Sequence, residues 1–360
     1  MLNDACLLPR KENAPMSAVK PVILIGVPPS PYTRKMIALL RYRHIDYRII
    51  WGDPGSVLSE MGISLPKVPL LPTCLLPDAS GELKAVCDST PIIRRLDEDF
   101  SDRRVIPTNP VMAFIDYLLE DFADEWCTKY MFHYRWALEE DADNAGTLLP
   151  LFHKIDMPAD TCNQLKPVIT DRQVGRLHVV GSNDVTAPLI DASYRRFLSA
   201  LESLLANQPF ILGRRPSACD FAIYGQLTQL VGFDPSSRKI AHAMAPRVVA
   251  WAALMEDQCG LEITSNDWNT VDEVPASLTA LLNEVGRVYV PALLANAQAL
   301  DNGDKTWEAD IDGSLWSQQT FAYQGKCLGW INSEYKALSQ RDQETVNTLL
   351  AGTGCESLLN

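Results

Sequence analysis

The chain has 360 residues, 47 % hydrophobic and 21 % charged, which suits two or three soluble domains around a sizeable core. Its net charge of −13, with no compensating basic block, argues against nucleic acid or an anionic membrane surface as a partner. No apolar run approaches membrane-spanning length, and the nine scattered cysteines include no C-x-x-C pair, so reduced thiols in the cytoplasm fit better than a disulfide framework or a zinc site.

Residues 1–20 mix Asp4, Arg10, Lys11 and Glu12 with no long apolar core and read as a disordered tail, not a secretory signal. The apolar run Val22–Val27 stops at Pro28 and Pro29. Ser30 and Pro31 then open an amphipathic segment with Met36, Ile37, Leu39 and Leu40, so the pattern is a buried strand, a tight loop and a capped helix. The free amides and the positive helix end meet at such a loop and favour an anion or a thiolate there. Tyr47–Trp51 reads as a second strand, and a turn-rich stretch follows. Leu70–Leu76 is a third strand whose entrance is interrupted by Pro69 and Pro72, either an edge device or a cis peptide. Residues 78–83 form a hairpin, Lys84–Cys87 its partner strand, and Asp88, Ser89, Thr90 and Pro91 cap another helix.

From Asn109 the pattern turns helical. Phe114, Leu118, Phe122, Trp126 and Tyr130 recur every four residues and mark one buried stripe of a helix over 114–136. Residues 141–187 carry mixed signals and read as an irregular insertion with one or two short helices. Helical periodicity returns at 190–206. Ser217 and Asp220 have the spacing of a capping box before another apolar helix, and Asp220 reads as structural there. Arg214 and Arg215 read as surface charge. Further helices are predicted over 245–255 and 274–300, and one or two more between Leu315 and Leu350.

In this order the pieces resemble the glutathione S-transferase superfamily. SPYTRKMIALL is similar to its active-site loop and first helix, LLPTCLLPD to its cis-proline segment, VCDSTPIIRRLDE to its acid-serine helix start, and FILGRRPSACDFAIYGQL to the signature of its helical domain. The resemblance implies an α/β thioredoxin-like, glutathione-binding domain over 21–105. An all-α helical-bundle domain over 106–265, interrupted near 141–187, and a C-terminal helical extension over 266–360 would follow.

It also implies that Ser30, with Tyr32 as a second hydroxyl, stabilises the glutathione thiolate. Leu71, before Pro72, would pair with the cysteinyl backbone, Pro72 being favoured over Pro69 as the cis-proline. Asp88 and Ser89 would hold the γ-glutamyl end. The helix over 114–136 usually lines the second-substrate pocket, which points to Asp124, Tyr130 or His133; a solvated acidic edge beside a packed aromatic stripe is the plain alternative. Glu120, Asp124 and His133 are too far apart in sequence for one compact helical metal site, so no metal is expected. The implied function is transfer of glutathione to a small apolar or aromatic electrophile by a cytoplasmic homodimer. The alternatives are a non-catalytic binding or assembly module and a glutathione-dependent isomerase or ether-cleaving lyase.

Overall fold

The computed structural model describes residues 21–264 and 267–359; the tail predicted to be disordered lies outside the described residues. The first part is β1 (Val22–Gly26), α1 (Pro31–Tyr42), β2 (Tyr47–Trp51), α2 (Pro54–Glu60), β3 (Thr73–Pro77), β4 (Leu83–Cys87) and α3 (Ser89–Asp99). Its strands form one mixed sheet in the order β2-β1-β3-β4, with β1 and β2 parallel and the other pairs antiparallel. The period-two pattern of β3 places Cys74 and Leu76 on the side of the main core and Leu75 with Ile25 and Leu58 on the other.

A large helical region follows. It begins with α4 (Pro110–Glu125), α5 (Cys127–Ala137), α6 (Glu139–His153), α7 (Ala159–Val174), α8 (Ala187–Leu205), α9 (Ala218–Leu230), α10 (Pro235–Met244) and α11 (Pro246–Met255). Then come α12 (Ala276–Glu284), α13 (Val290–Asn302), a hairpin of β5 (Thr306–Ile311) and β6 (Ser314–Gln319), α14 (Ala322–Ala337) and α15 (Gln340–Leu350). The aromatic stripe of the sequence is buried along α4 and α5, which meet at a break around Trp126. The capping box of α9 is formed: Ser217 N–H donates to Asp220 Oδ2 at 2.9 Å, and the other carboxylate oxygen accepts from Ile211 N–H at 2.8 Å. α9 backs onto the start of α1 so closely that a Cβ at Gly225 would stand 2.5 Å from the Pro31 carbonyl oxygen.

The structure departs from the sequence reading at several places. The insertion is not irregular, because α6 and α7 are long helices paired with each other. Pro150 and Pro167 sit inside them and α7 has no buried residue, which erases the periodicity that announces a helix. Between 266 and 359 the chain is not all helical. Asp312 and Gly313, both at positive φ, turn the β5–β6 hairpin, and its alternate residues Trp307, Ile311, Trp316 and Gln318 are buried. Trp316 lies against Gly181 of the insertion, where a Cβ would meet the indole at 2.5 Å. The helix predicted over 274–300 is split by a π turn at Val285–Tyr289. Arg215 is not surface charge: it is buried, donates to the Tyr42 hydroxyl at 3.1 Å and lies 4.0 Å from the centre of the Trp268 ring. Among the described residues, no helix is long and apolar enough to cross a membrane.

Candidate functional site

Strand register assembles the first half of the site. Ile25 of β1 faces Thr73 of β3, and Thr73 faces Cys87 of β4. The loop leaving β1, the entrance to β3 and the exit from β4 therefore share one sheet edge, and with them Ser30, Leu71–Pro72 and Asp88–Ser89. The Leu71–Pro72 peptide is cis. Ser30 caps α1, its Oγ accepting from Thr33 N–H at 3.2 Å, and its hydroxyl proton has no acceptor among the described residues. The loop before it is held from the helical side: Arg135 donates to the Pro29 carbonyl at 3.2 Å while its guanidinium is clamped by Asp234 and Gln229.

Asp88 caps α3 with φ +81°, one carboxylate oxygen accepting from Thr90 N–H at 3.3 Å. The other accepts from the Tyr323 hydroxyl of α14 at 2.7 Å. Ser89 Oγ accepts from Lys35 Nζ at 3.0 Å. Lys35 is the residue the sequence reading missed. It is fully buried and also bonds Glu120 at 2.8 Å and Asp124 at 2.6 Å; Arg94 completes the cluster by donating to Glu120 at 2.7 Å. The available signal was a lysine on the apolar side of α1 and two carboxylates four residues apart on α4. Burial alone would lower the pKa of Lys35, but Asp124 and Glu120 outweigh it and hold the amine above its usual value. Glu120 is likewise desolvated, yet Arg94 and Lys35 pull it down to about 2. Asp124 has Lys35 as its one cationic partner among the described residues, with a longer bond from the Thr90 hydroxyl at 3.4 Å, and burial pushes it up to about 6.

The remaining sequence candidates separate. Tyr32 is at the site, but its hydroxyl donates to the Asp124 carbonyl at 2.6 Å and is committed there instead of to a thiolate. Asp124 is an ion-pair partner, not an open pocket wall. Tyr130 is fully buried between the rings of Tyr194 and Phe197, its hydroxyl 2.7 Å from Ser193 Oγ. His133 is buried against Ser182 Oγ at 2.8 Å, and that burial lowers its pKa. Tyr130 and His133 thus belong to the helical packing. A carboxylate not singled out in the sequence does face this region: Glu125 accepts from Gln324 Nε2 at 3.2 Å, and burial pushes it up to about 8. Hollows of about 470 and 510 Å³ flank α6, and none of the site residues lines them.

A small mixed sheet with helices, joined to a large helical region through its α1, is the architecture of a thioredoxin-like domain plus a helical domain. Residues 24–104 match the family model of the glutathione S-transferase N-terminal domain, so this part of the chain is similar to that domain. Among solved structures, a glutathione S-transferase from Methylobacterium radiotolerans in complex with glutathione sulfonate is similar at 18% identity. The match covers 71% of this chain and 95% of that one, with a TM-score of 0.39. A glutathione transferase from Burkholderia graminis with two glutathione molecules bound per subunit is similar at 16% identity, covering 68% and 88%, with a TM-score of 0.42. The Tau class enzyme of mango, Mangifera indica, is similar at 18% identity, covering 72% and 98%, with a TM-score of 0.39. No curated protein sequence matches the chain.

Two outcomes follow from the buried charges. Lys35→Met leaves Glu120 and Asp124 short of a buried partner and is expected to cost ~3–5 kcal/mol in urea unfolding, with Asp124→Asn restoring part of the loss. The second concerns pH. Burial holds Asp121 up at about 7 and Glu125 at about 8, both above the roughly 4 of an unfolded carboxylate. The stability tied to their protons is complete below the unfolded value and is lost as pH rises through the folded one. Unfolding free energy should therefore be lower at pH 8.5 than at pH 6 by roughly 4 kcal/mol.

Proposed function

We propose that the chain is a glutathione transferase of the serine type. The observation that carries this reading is the Ser30 hydroxyl at the α1 N-terminus, its proton without an acceptor among the described residues, beside the entrance to β3 and the Asp88–Ser89 turn. A free thiol has a pKa near ~8.5 and is mostly protonated at neutral pH. A hydroxyl donor and a helix N-terminus both favour the thiolate, so the nucleophile is populated where it is needed. The backbone of Leu71 pairs with the cysteinyl part of glutathione, and Asp88 takes the γ-glutamyl ammonium. Ser89 accepts from Lys35, which leaves its own proton to donate to the γ-glutamyl carboxylate. The sulfur then forms a bond to an electrophilic carbon as the leaving group departs with its electron pair. The electrophile in this proposal is a small apolar or aromatic molecule that meets the sulfur beside Ser30. The cytoplasm and a homodimer are the setting the family resemblance implies.

A non-catalytic binding or assembly module is the second reading, favoured by one observation: Asp88 is already bonded to Tyr323. Calorimetry with glutathione separates the two. Micromolar-to-millimolar binding that weakens at least ~10-fold in Asp88→Ala supports the transferase site; no heat at millimolar glutathione moves the assignment to the module. With an electrophile in hand, Ser30→Ala should lower kcat/KM by roughly 10²–10³-fold, and the apparent pKa of its pH–rate profile should rise. Unchanged kinetics in that variant would remove Ser30 from the mechanism.

A further inference from the structure

We propose that Tyr323 of α14 is the gate of the γ-glutamyl subsite, releasing Asp88 when the ammonium of glutathione arrives. This rests on the glutathione reading of the site. Both oxygens of the Asp88 carboxylate are in use: one is turned into α3 to cap Thr90 N–H, and the other faces away and accepts from the Tyr323 hydroxyl at 2.7 Å. An incoming ammonium needs the outward oxygen, which is where the phenol stands. The exchange favours the ligand, because a charge-assisted bond to a carboxylate is stronger than one from a neutral phenol.

The surroundings of Tyr323 confine the movement to its own side chain. On one side Phe321 is pinned by Asn296, which accepts from its N–H at 2.8 Å and donates to its carbonyl at 3.0 Å. On the other, Gln324 is buried and bonded to Glu125. The Tyr323 ring is half-buried, packed against the main core on one side and against the exposed rings of Phe321 and Trp330 on the other, so its route to solvent runs past those two rings. Residues more than two hundred positions apart in the chain thus share one subsite, and the C-terminal segment sets how readily glutathione enters.

The test is calorimetric titration of the wild type and Tyr323→Phe, each with glutathione and with its analogue lacking the α-amino group. Phe keeps the ring and its packing, and thermal melts confirm that the variant folds. The gate predicts that Tyr323→Phe binds glutathione roughly 3- to 10-fold tighter, as one competing hydrogen bond is removed, while the deaminated analogue binds both proteins equally. Wild-type binding that is unchanged or weakened in the variant overturns the gate. So does an equal gain for the analogue, because the effect would then not run through Asp88. If neither protein binds glutathione, the glutathione reading itself fails and the gate falls with it, a result distinct from either of the others.

Discussion

One buried, protonated amine fixes the relation between the sheet and the helices. Lys35 leaves α1 and meets Ser89 of α3 and two carboxylates of α4 within hydrogen-bonding distance. Taking these charges out of water is costly, and the cost is recovered only while the geometry holds. The same contact therefore sets the register of three helices and makes it intolerant of small slips. Ser89, part of the candidate ligand site, is positioned by a side chain whose counter-ions lie in the helical region. The two ends of the site accordingly share one framework.

α4 extends this arrangement along its length. Asp116 accepts from the first turn of α9, Glu120 and Asp124 hold Lys35, Asp121 accepts from Tyr289, and Glu125 from Gln324. Five acids on one helix would repel one another if all were ionised and unpartnered. Instead α9, α1, the π turn and α14 answer them between them, and burial keeps several of them near their protonated form. The net negative charge read from the composition is thus only partly a surface property.

What the sequence made legible was local. Ser30 before Pro31, Asp88 before Ser89, and the Ser217–Asp220 spacing state their caps within a few residues, and each cap is formed. Pro72 could be preferred to Pro69 from its distance to the hairpin, and the cis peptide is there. Lys35 and Arg215 were hidden because a basic residue reads as solvent-facing until its distant counter-groups are known. Tyr130 already stood in the aromatic stripe that the sequence marks as buried, whereas the inward placement of His133 against Ser182 had no pattern to announce it. Tyr323 could not be linked to Asp88 by any pattern, since 235 residues separate them. The hairpin carried its signal, Asp312–Gly313 between alternating apolar residues, and the helical expectation for the C-terminal part passed over it.

The docking of the C-terminal part has a consequence for how the chain folds. Trp126 lies with its ring centroid 5.3 Å from that of Trp316 and 6.5 Å from that of Tyr289, and Cys355 donates to the Leu282 carbonyl at 3.3 Å. A ribosome that has released the chain only through residue 265 has exposed α4 and α5 without the rings that cover them. The helical region is therefore completed late in synthesis, by contacts of large sequence separation that form slowly. During that interval the nascent chain presents apolar surface to the cell, and its yield depends on what shields that surface until the last helices arrive.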